Sequence, residues 1–249
     1  MDEIFIIDNG SYQFRGGYCD DRPPAIQFRN LVSKSRNKQI SVGNDIGDSS
    51  EGFIKSPFEE NLIINWDVQD SILDYFLEKN KLQNFSGKGV VFNEVLFNPS
   101  FCRKTLMEVL FEYYSADKVM LYVDFLASHY ANNMGNVHEN GISISFGHKA
   151  THIMPIFRNK PIYSACRRIN LGGMNIVSSM TQLLAIKYPC FEHYINYNFS
   201  ETLMHEHGQI CLDYSNEISQ WSSQQYFDAS AVRVPLNYFK NIAEQICES

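Results

Sequence analysis

The residues best equipped for chemistry lie close to the start of the chain. Asp8-Asn9-Gly10-Ser11 sets a carboxylate, an amide, a glycine and a hydroxyl in succession, with Tyr12 next and Arg15 shortly after. Taken by itself, such a run is more often a hairpin turn than a ligand site. A second candidate cluster is Gly147-His148-Lys149. Two histidine pairs, His148/His152 and His205/His207, are close in sequence. Metal ligation needs three or four convergent ligands, so these read as polar surface histidines. The cysteines at 19, 102, 166, 190, 211 and 247 are scattered and form no C-x-x-C pair. That spacing argues against a zinc site or a disulfide framework. Phe111–Tyr114 reads as core and Glu59-Glu60 as a solvated charge cluster.

The elements that must position these residues follow from periodicity. Ile4–Ile7 reads as a strand, Asp8-Asn9-Gly10 as a turn and Tyr12–Tyr18 as the returning strand. A third strand is expected near Ala25–Phe28. Val42–Phe58 reads as loop or a small subdomain. Apolar spacing predicts a helix over Asn65–Lys79 and another over Cys102–Tyr114, the second capped by Ser100. Strands are expected at Val90–Phe92 and Val119–Val123, with a helix over Phe125–Ala131. After the polar stretch Asn132–Asn140 the pattern restarts, with strand Gly141–Ser145, a turn, strand Thr151–Phe157, a continuation over Ile162–Asn170 and a helix over Asn175–Leu184. Further helices are expected at Ser200–Glu206, Asp213–Trp221 and Tyr238–Cys247, and a strand at Val232–Leu236. The alternation predicts an α/β protein in two successive units, 1–131 and 132–249, each opened by a hairpin.

The chain has 249 residues, of which 44% are hydrophobic, enough for a sizeable core. Its net charge of -7 argues against a dedicated DNA-binding domain. No apolar run approaches the roughly 18 residues of a membrane span, so no membrane partner is expected. The first strand begins almost at once, without a targeting leader, which points to a cytosolic or nuclear protein.

Hairpin-opened, duplicated α/β units resemble the actin/sugar-kinase/heat-shock ATPase fold, a ribonuclease-H-like duplication. Asp8–Ser11 resembles the first phosphate loop of the actin family. Gly141–Gly147 with Thr151-His152 and Pro155-Ile156 resembles its second phosphate hairpin. Asn65-Trp66-Asp67, and Asn98-Pro99 followed by Arg103, Met107 and Phe111-Glu112, resemble other actin segments. These matches are collinear from Met1 to Leu236. Asp8–Gln13 with Arg15 and Gly17, Val42–Asp45, Lys55–Phe58, Arg168–Gly173, Lys187–Pro189 and His205–His207 are similar to the actin-related protein 5 subfamily.

The resemblance implies a cleft in which two hairpins clamp phosphates, with ATP or ADP and Mg2+ as the ligand. Carried over by position, Asp8 faces the magnesium shell through water, and Gly10 and Ser11 touch phosphate. Arg15 stands where actin has a lysine, a replacement that keeps charge but not geometry. Asn9, Tyr12, Gly147 and His148 complete the candidate nucleotide-binding set. No catalytic residue is assigned. Tyr12 replaces a glycine, Ser145 stands in the place of an acidic residue, and Lys149 and His148 form a solvated tip. Asp124 aligns with the water-positioning glutamine, where an ionised carboxylate repels a triphosphate. The chain ends before the glycine-rich adenosine loop, so an incomplete second half with an unpaired sheet edge is expected. The resemblance therefore implies a non-catalytic structural or coupling subunit of a nuclear, INO-type nucleosome remodeller. Its partners are then the motor ATPase, its accessory subunits and, through the complex, histones and DNA. The alternative is a nucleotide-binding actin-type switch with weak ATPase activity. A sugar kinase ranks last, because no phosphoacceptor motif is present.

Overall fold

The computed structural model describes residues 3–35, 40–46, 53–132 and 140–208, together with 210, 213, 215, 216 and 219. The elements expected at Val232–Leu236 and Tyr238–Cys247 lie outside these residues, as does most of Asp213–Trp221. The chain divides into two compact units, Met1–Met174 and Asn175–Ser249.

In the first unit the strands β1 (Glu3–Asn9), β2 (Gln13–Tyr18) and β3 (Ile26–Arg29) form an antiparallel meander. Three short strands, β4 (Val32–Lys34), β5 (Ile40–Val42) and β6 (Phe53–Lys55), make a separate small sheet. The stretch read as loop or small subdomain thus carries strands of its own. A two-residue hairpin follows, β7 (Phe58–Glu59) and β8 (Leu62–Ile63). Helix α1 (Trp66–Lys79) starts where Asn65 Oδ1 accepts the N–H of Val68, an N-cap of the ordinary kind. Next come β9 (Lys88–Asn93), α2 (Ser100–Glu108) and β10 (Lys118–Tyr122). Strands β1, β9 and β10 are mutually parallel, giving the sheet order β10-β9-β1-β2-β3.

Two local expectations are corrected. Asp8 and Asn9 belong to β1 and the turn is confined to Gly10–Tyr12, because both side chains have partners that hold them in the strand. Ser100 does not cap α2: it is the first helical residue, and Pro99 takes the N-cap position without a side-chain hydrogen bond. Beyond Glu108 the helix continues as one wide turn over Val109–Tyr113.

One face of the main sheet is packed. Phe5, Ile7, Phe14, Val90 and Phe92 meet Ile72, Leu73 and Phe76 of α1 and Leu106 and Leu110 beyond. Aromatic rings fill the centre: Phe14 stacks on Phe28 at 5.0 Å and tilts against Phe76 at 5.1 Å. Gly16 is required there, since a Cβ at that position would lie 2.6 Å from the Phe76 ring.

Helix α3 (Asp124–Asn132) leads to the second hairpin, β11 (Gly141–Phe146) and β12 (Thr151–Phe157), extended by β13 (Lys160–Pro161) and β14 (Arg167–Ile169). Its core is Met154 and Ile156 against Phe125 and Leu96. In the second unit lie most of α4 (Gly173–Lys187) and all of α5 (Tyr197–His207), the latter capped by Asn196. Among the described residues no helix is long and apolar enough to cross a membrane.

Phe76 is wholly buried among Phe5, Phe14 and Gly16. Phe76→Ala is expected to cost about 3–5 kcal/mol, seen as a large fall in the urea midpoint of unfolding.

Candidate functional site

The candidate residues gather at the carboxyl ends of the parallel strands β1, β9 and β10, where the chain of an α/β sheet presents its loops. Along β1 the side chains alternate, so Ile7 and Asn9 turn inward and Asp8 turns out. Asn9 is a buried junction. Its N–H donates to Asn93 Oδ1 at 2.6 Å, and its Nδ2 donates to Gln69 Oε1 at 2.8 Å. Its Oδ1 accepts from Asn30 Nδ2 at 2.6 Å. Asn30 Nδ2 also donates to the Gly10 carbonyl at 2.9 Å, and the Asn30 N–H donates to the Tyr12 carbonyl at 2.9 Å. The Gly10 N–H donates to Gln13 O at 3.1 Å.

Asp8 accepts from Asn93 Nδ2 at 2.8 Å and pairs with the Arg15 guanidinium at 3.4 Å across the hairpin. Arg15 also donates to Gln13 Oε1. Burial holds the Asp8 carboxyl above the usual carboxylate range; Arg15 opposes this and the nearby Asp124 carboxylate adds to it. Burial likewise raises the Tyr122 phenol, with Asp8 and Asp124 contributing. Asp124 opens α3, and its Oδ1 accepts the N–H of Phe125 at 2.8 Å. His152 is buried, stacked on Phe125 at 6.1 Å. Burial lowers its pKa, Arg168 lowers it further, and Asp124 opposes. Two carboxylates, a phenol and a neutral imidazole thus converge here. Among the described residues no group of three or more His, Cys, Asp or Glu is arranged to hold a metal ion.

The second hairpin reaches the same place from the other side. The Gly147 N–H donates to Ala150 O at 3.0 Å and closes the turn. The His148 ring lies 5.1 Å from that of Tyr12, tilted by 41°. Lys149 Nζ donates to the Phe58 carbonyl at 3.3 Å. The tip expected to be solvated is therefore half-buried, because its two polar side chains find partners in the first half of the unit. Burial lowers the His148 pKa to about 4, helped by Lys149 and Arg29. Ser145 pairs in register with His152.

A nucleotide with Mg2+ is what the fold implies, and the residues at the tips do not fit it. The Gly10 and Gly147 N–H groups are both used in closing their own turns, and Asn9 is held in the interior. Tyr12 and His148 are in contact, so no phosphate fits between their rings as they stand. The open groove beside Asp8 and Arg15 lies along the outer face of β1 and β2, bounded by Ile6, Tyr18 and Pro24.

Asn30, Gln69 and Asn93 were not singled out in the sequence. Gln69 carried a signal: it shares the apolar stripe of α1 with Ile72, Leu73 and Phe76. A polar residue on a core-facing position implies a buried partner. Asn30 and Asn93 sit at loop and strand ends, where asparagine is commonplace.

A family model described as Actin matches residues 2–246. Actin-related protein 5 of Drosophila melanogaster is 34% identical, over 94% of this chain and 40% of its own length. Actin-related protein 5 of Homo sapiens is 32% identical over 94% of this chain and 41% of its own. Actin-like protein arp5 of Schizosaccharomyces pombe is 33% identical, over 96% and 34%. The chain spans about two fifths of the length of these relatives.

The His148 environment sets a pH dependence. Its folded pKa of about 4 lies below the ordinary 6.5, so the unfolded chain takes up the proton first as pH falls. Stability is complete above pH 6.5 and is lost as pH falls from there to about 4. Asp8, raised in the fold, acts with the opposite sign. Urea midpoints above pH 6.5 and near pH 4 are expected to differ more for the native chain than for His148→Gln.

Proposed function

Because the chain belongs to the actin family, we propose that it is a nuclear actin-related protein acting as a non-catalytic structural or coupling subunit of an ATP-dependent chromatin-remodelling complex. The observation that carries this reading is the carboxylate pair Asp8 and Asp124. Asp8 is half-buried at the end of β1, and the Asp124 carboxylate is close enough to act on it with the same sign of charge. A polyphosphate brought to the strand ends meets further negative charge where hydrolysis needs a positioned water and neutralised oxygens. The resemblance of the chain to relatives named actin-related protein 5 supports the choice of branch.

The two actin-like halves are assigned to 1–131 and 132–249, each entered by an antiparallel hairpin, β1–β2 and β11–β12. The proposed partners are the motor ATPase of the remodeller and its accessory subunits, with histones and DNA reached through the assembly. The surface supports protein contacts: Ile142, Ile144 and Phe146 project from one face of β11, and each is at least half exposed. Among the described residues β11 pairs with β12 alone. The nucleotide-binding alternative, a weak ATPase switch, draws on the Asp8–Ser11 turn.

Affinity capture of the tagged full chain from a nuclear fraction of its own cells tests the proposal. Recovery of the remodeller motor in stoichiometric amounts, with no ATP turnover by the purified chain, is the expected result. ATP hydrolysis at an actin-like rate without the motor in the captured material would overturn it.

A further inference from the structure

The disagreement between the implied nucleotide and the residues at the hairpin tips has a physical content of its own. We propose that Tyr12, His148 and Lys149 are the specificity-determining residues of the cleft: the Tyr12 and His148 rings join the two hairpins, and Lys149 ties the second tip to the β7–β8 hairpin, so that the cleft closes without a ligand and excludes a phosphoanion from the position between the tips. This deepens the non-catalytic reading above and rests on it only in taking the two hairpins as facing one cleft.

The second tip is fixed from behind. The carbonyls of Gly147 and His148 accept the N–H groups of Gly173 and Met174 at 3.1 and 2.8 Å. Gly172 must be glycine for this approach, since a Cβ there would lie 2.4 Å from the His148 carbonyl oxygen. Thr151 Oγ1 donates to the Leu171 carbonyl at 2.8 Å and secures the base of the turn. With its backbone anchored in this way, His148 presents its ring forward to Tyr12.

Tyr12 is fixed in turn. Its carbonyl accepts from the Asn30 N–H, and the Arg29 guanidinium lies 5.3 Å from its ring centroid. A cation over the ring face adds to its attachment. The charged groups that act on His148 are Lys149 and Arg29, and both keep its imidazole neutral. A neutral ring suits packing on a phenol better than an imidazolium needing solvation.

Two contacts widen the join beyond the ring pair. Lys149 Nζ donates to the Phe58 carbonyl, and Arg168 donates to the Glu60 carbonyl at 2.9 Å. Both target the β7–β8 hairpin, whose turn residues Glu60 and Asn61 have φ of 47° and 72°. Such left-handed conformations in residues other than glycine are uncommon, and the turn here presents its carbonyl to a guanidinium. Lys149, a cation able to receive a phosphate, is thus already engaged by a main-chain oxygen. A phosphoanion would have to part the Tyr12–His148 rings and detach Lys149 from Phe58.

The test is a double-mutant cycle on the full chain: native, Tyr12→Ala, His148→Ala and both together. Each is followed by equilibrium and thermal unfolding, with and without millimolar magnesium tripolyphosphate. Each single variant is expected to lose stability and the double variant little more than the worse single, a coupling of about two- to twelvefold in the unfolding equilibrium constant. Tripolyphosphate is expected to raise the Tm of the double variant and leave that of the native chain unchanged. Tyr12→Phe, which keeps the ring, is expected to behave as native; it holds the test open if an alanine variant fails to fold. Additive losses, or a native Tm raised by tripolyphosphate as far as that of the double variant, would overturn the proposal. A coupled cycle with no tripolyphosphate effect on the native chain, together with a failure to capture the remodeller motor, overturns the coupling-subunit reading alone; ATP turnover by the native chain overturns both. An additive cycle without turnover overturns the clasp alone.

Discussion

The amide of Asn9 is the interaction on which the arrangement of the site depends. It sits at the end of β1, buried, and bonds through its side chain to Gln69 of α1 and to Asn30 after β3, while its N–H reaches Asn93 at the end of β9. Three elements distant in sequence are therefore tied at one point. A buried amide is held to its partners strongly because leaving any of them unpaired costs about 1–3 kcal/mol. The geometry of the loop follows from it. Asn30, held by Asn9, takes the carbonyls of Gly10 and Tyr12, and so decides how the turn leaves the strand.

Strand alternation then distributes the roles. With Asn9 inward, Asp8 must face out, beside Arg15 on β2 and below Asn93 on β9. A slip of one residue would bury the carboxylate and expose the amide, and it would take Phe5 and Ile7 out of the aromatic core. The core therefore enforces the register of the site. Gly16 contributes from the opposite strand, since only a residue without a side chain lets Phe76 pack under the hairpin.

Much of this was legible in the sequence because it rests on periodicity. The helix expected over Asn65–Lys79 and the strands expected at Val90–Phe92 and Thr151–Phe157 rest on apolar spacing, and they are found as α1, the longer β9 and β12. The membership of the actin family was legible from ordered short segments. The failures at the site share one cause: a side chain's partner elsewhere in the chain outweighed its local preference. Asp8 and Asn9 have turn character by residue type, but Arg15, Gln69 and Asn93 keep them in a strand. His148 and Lys149 have the character of a solvated tip, but Tyr12 and the Phe58 carbonyl draw them inward. Gln69 on an apolar stripe was the one case where local sequence did point to a distant partner.

Charge at the cleft is divided in a way that favours closure over ligand capture. The carboxylates of Asp8 and Asp124 stand at the strand ends, whereas the cations Arg29, Lys149 and Arg168 stand at the end of β3, at the second tip and on β14. A polyphosphate between the tips would gain from the cations, which are partly exposed and so weakly attracting in water. It would also lie near the carboxylates, of which Asp8 is half-buried. The cations have main-chain carbonyls or an aromatic face as partners, and these interactions need no ligand to complete them. The balance of terms therefore rests with the contacts the chain makes to itself. The tips of the two hairpins are thus held by contacts within the first unit, Tyr12 on His148 and Lys149 on the Phe58 carbonyl.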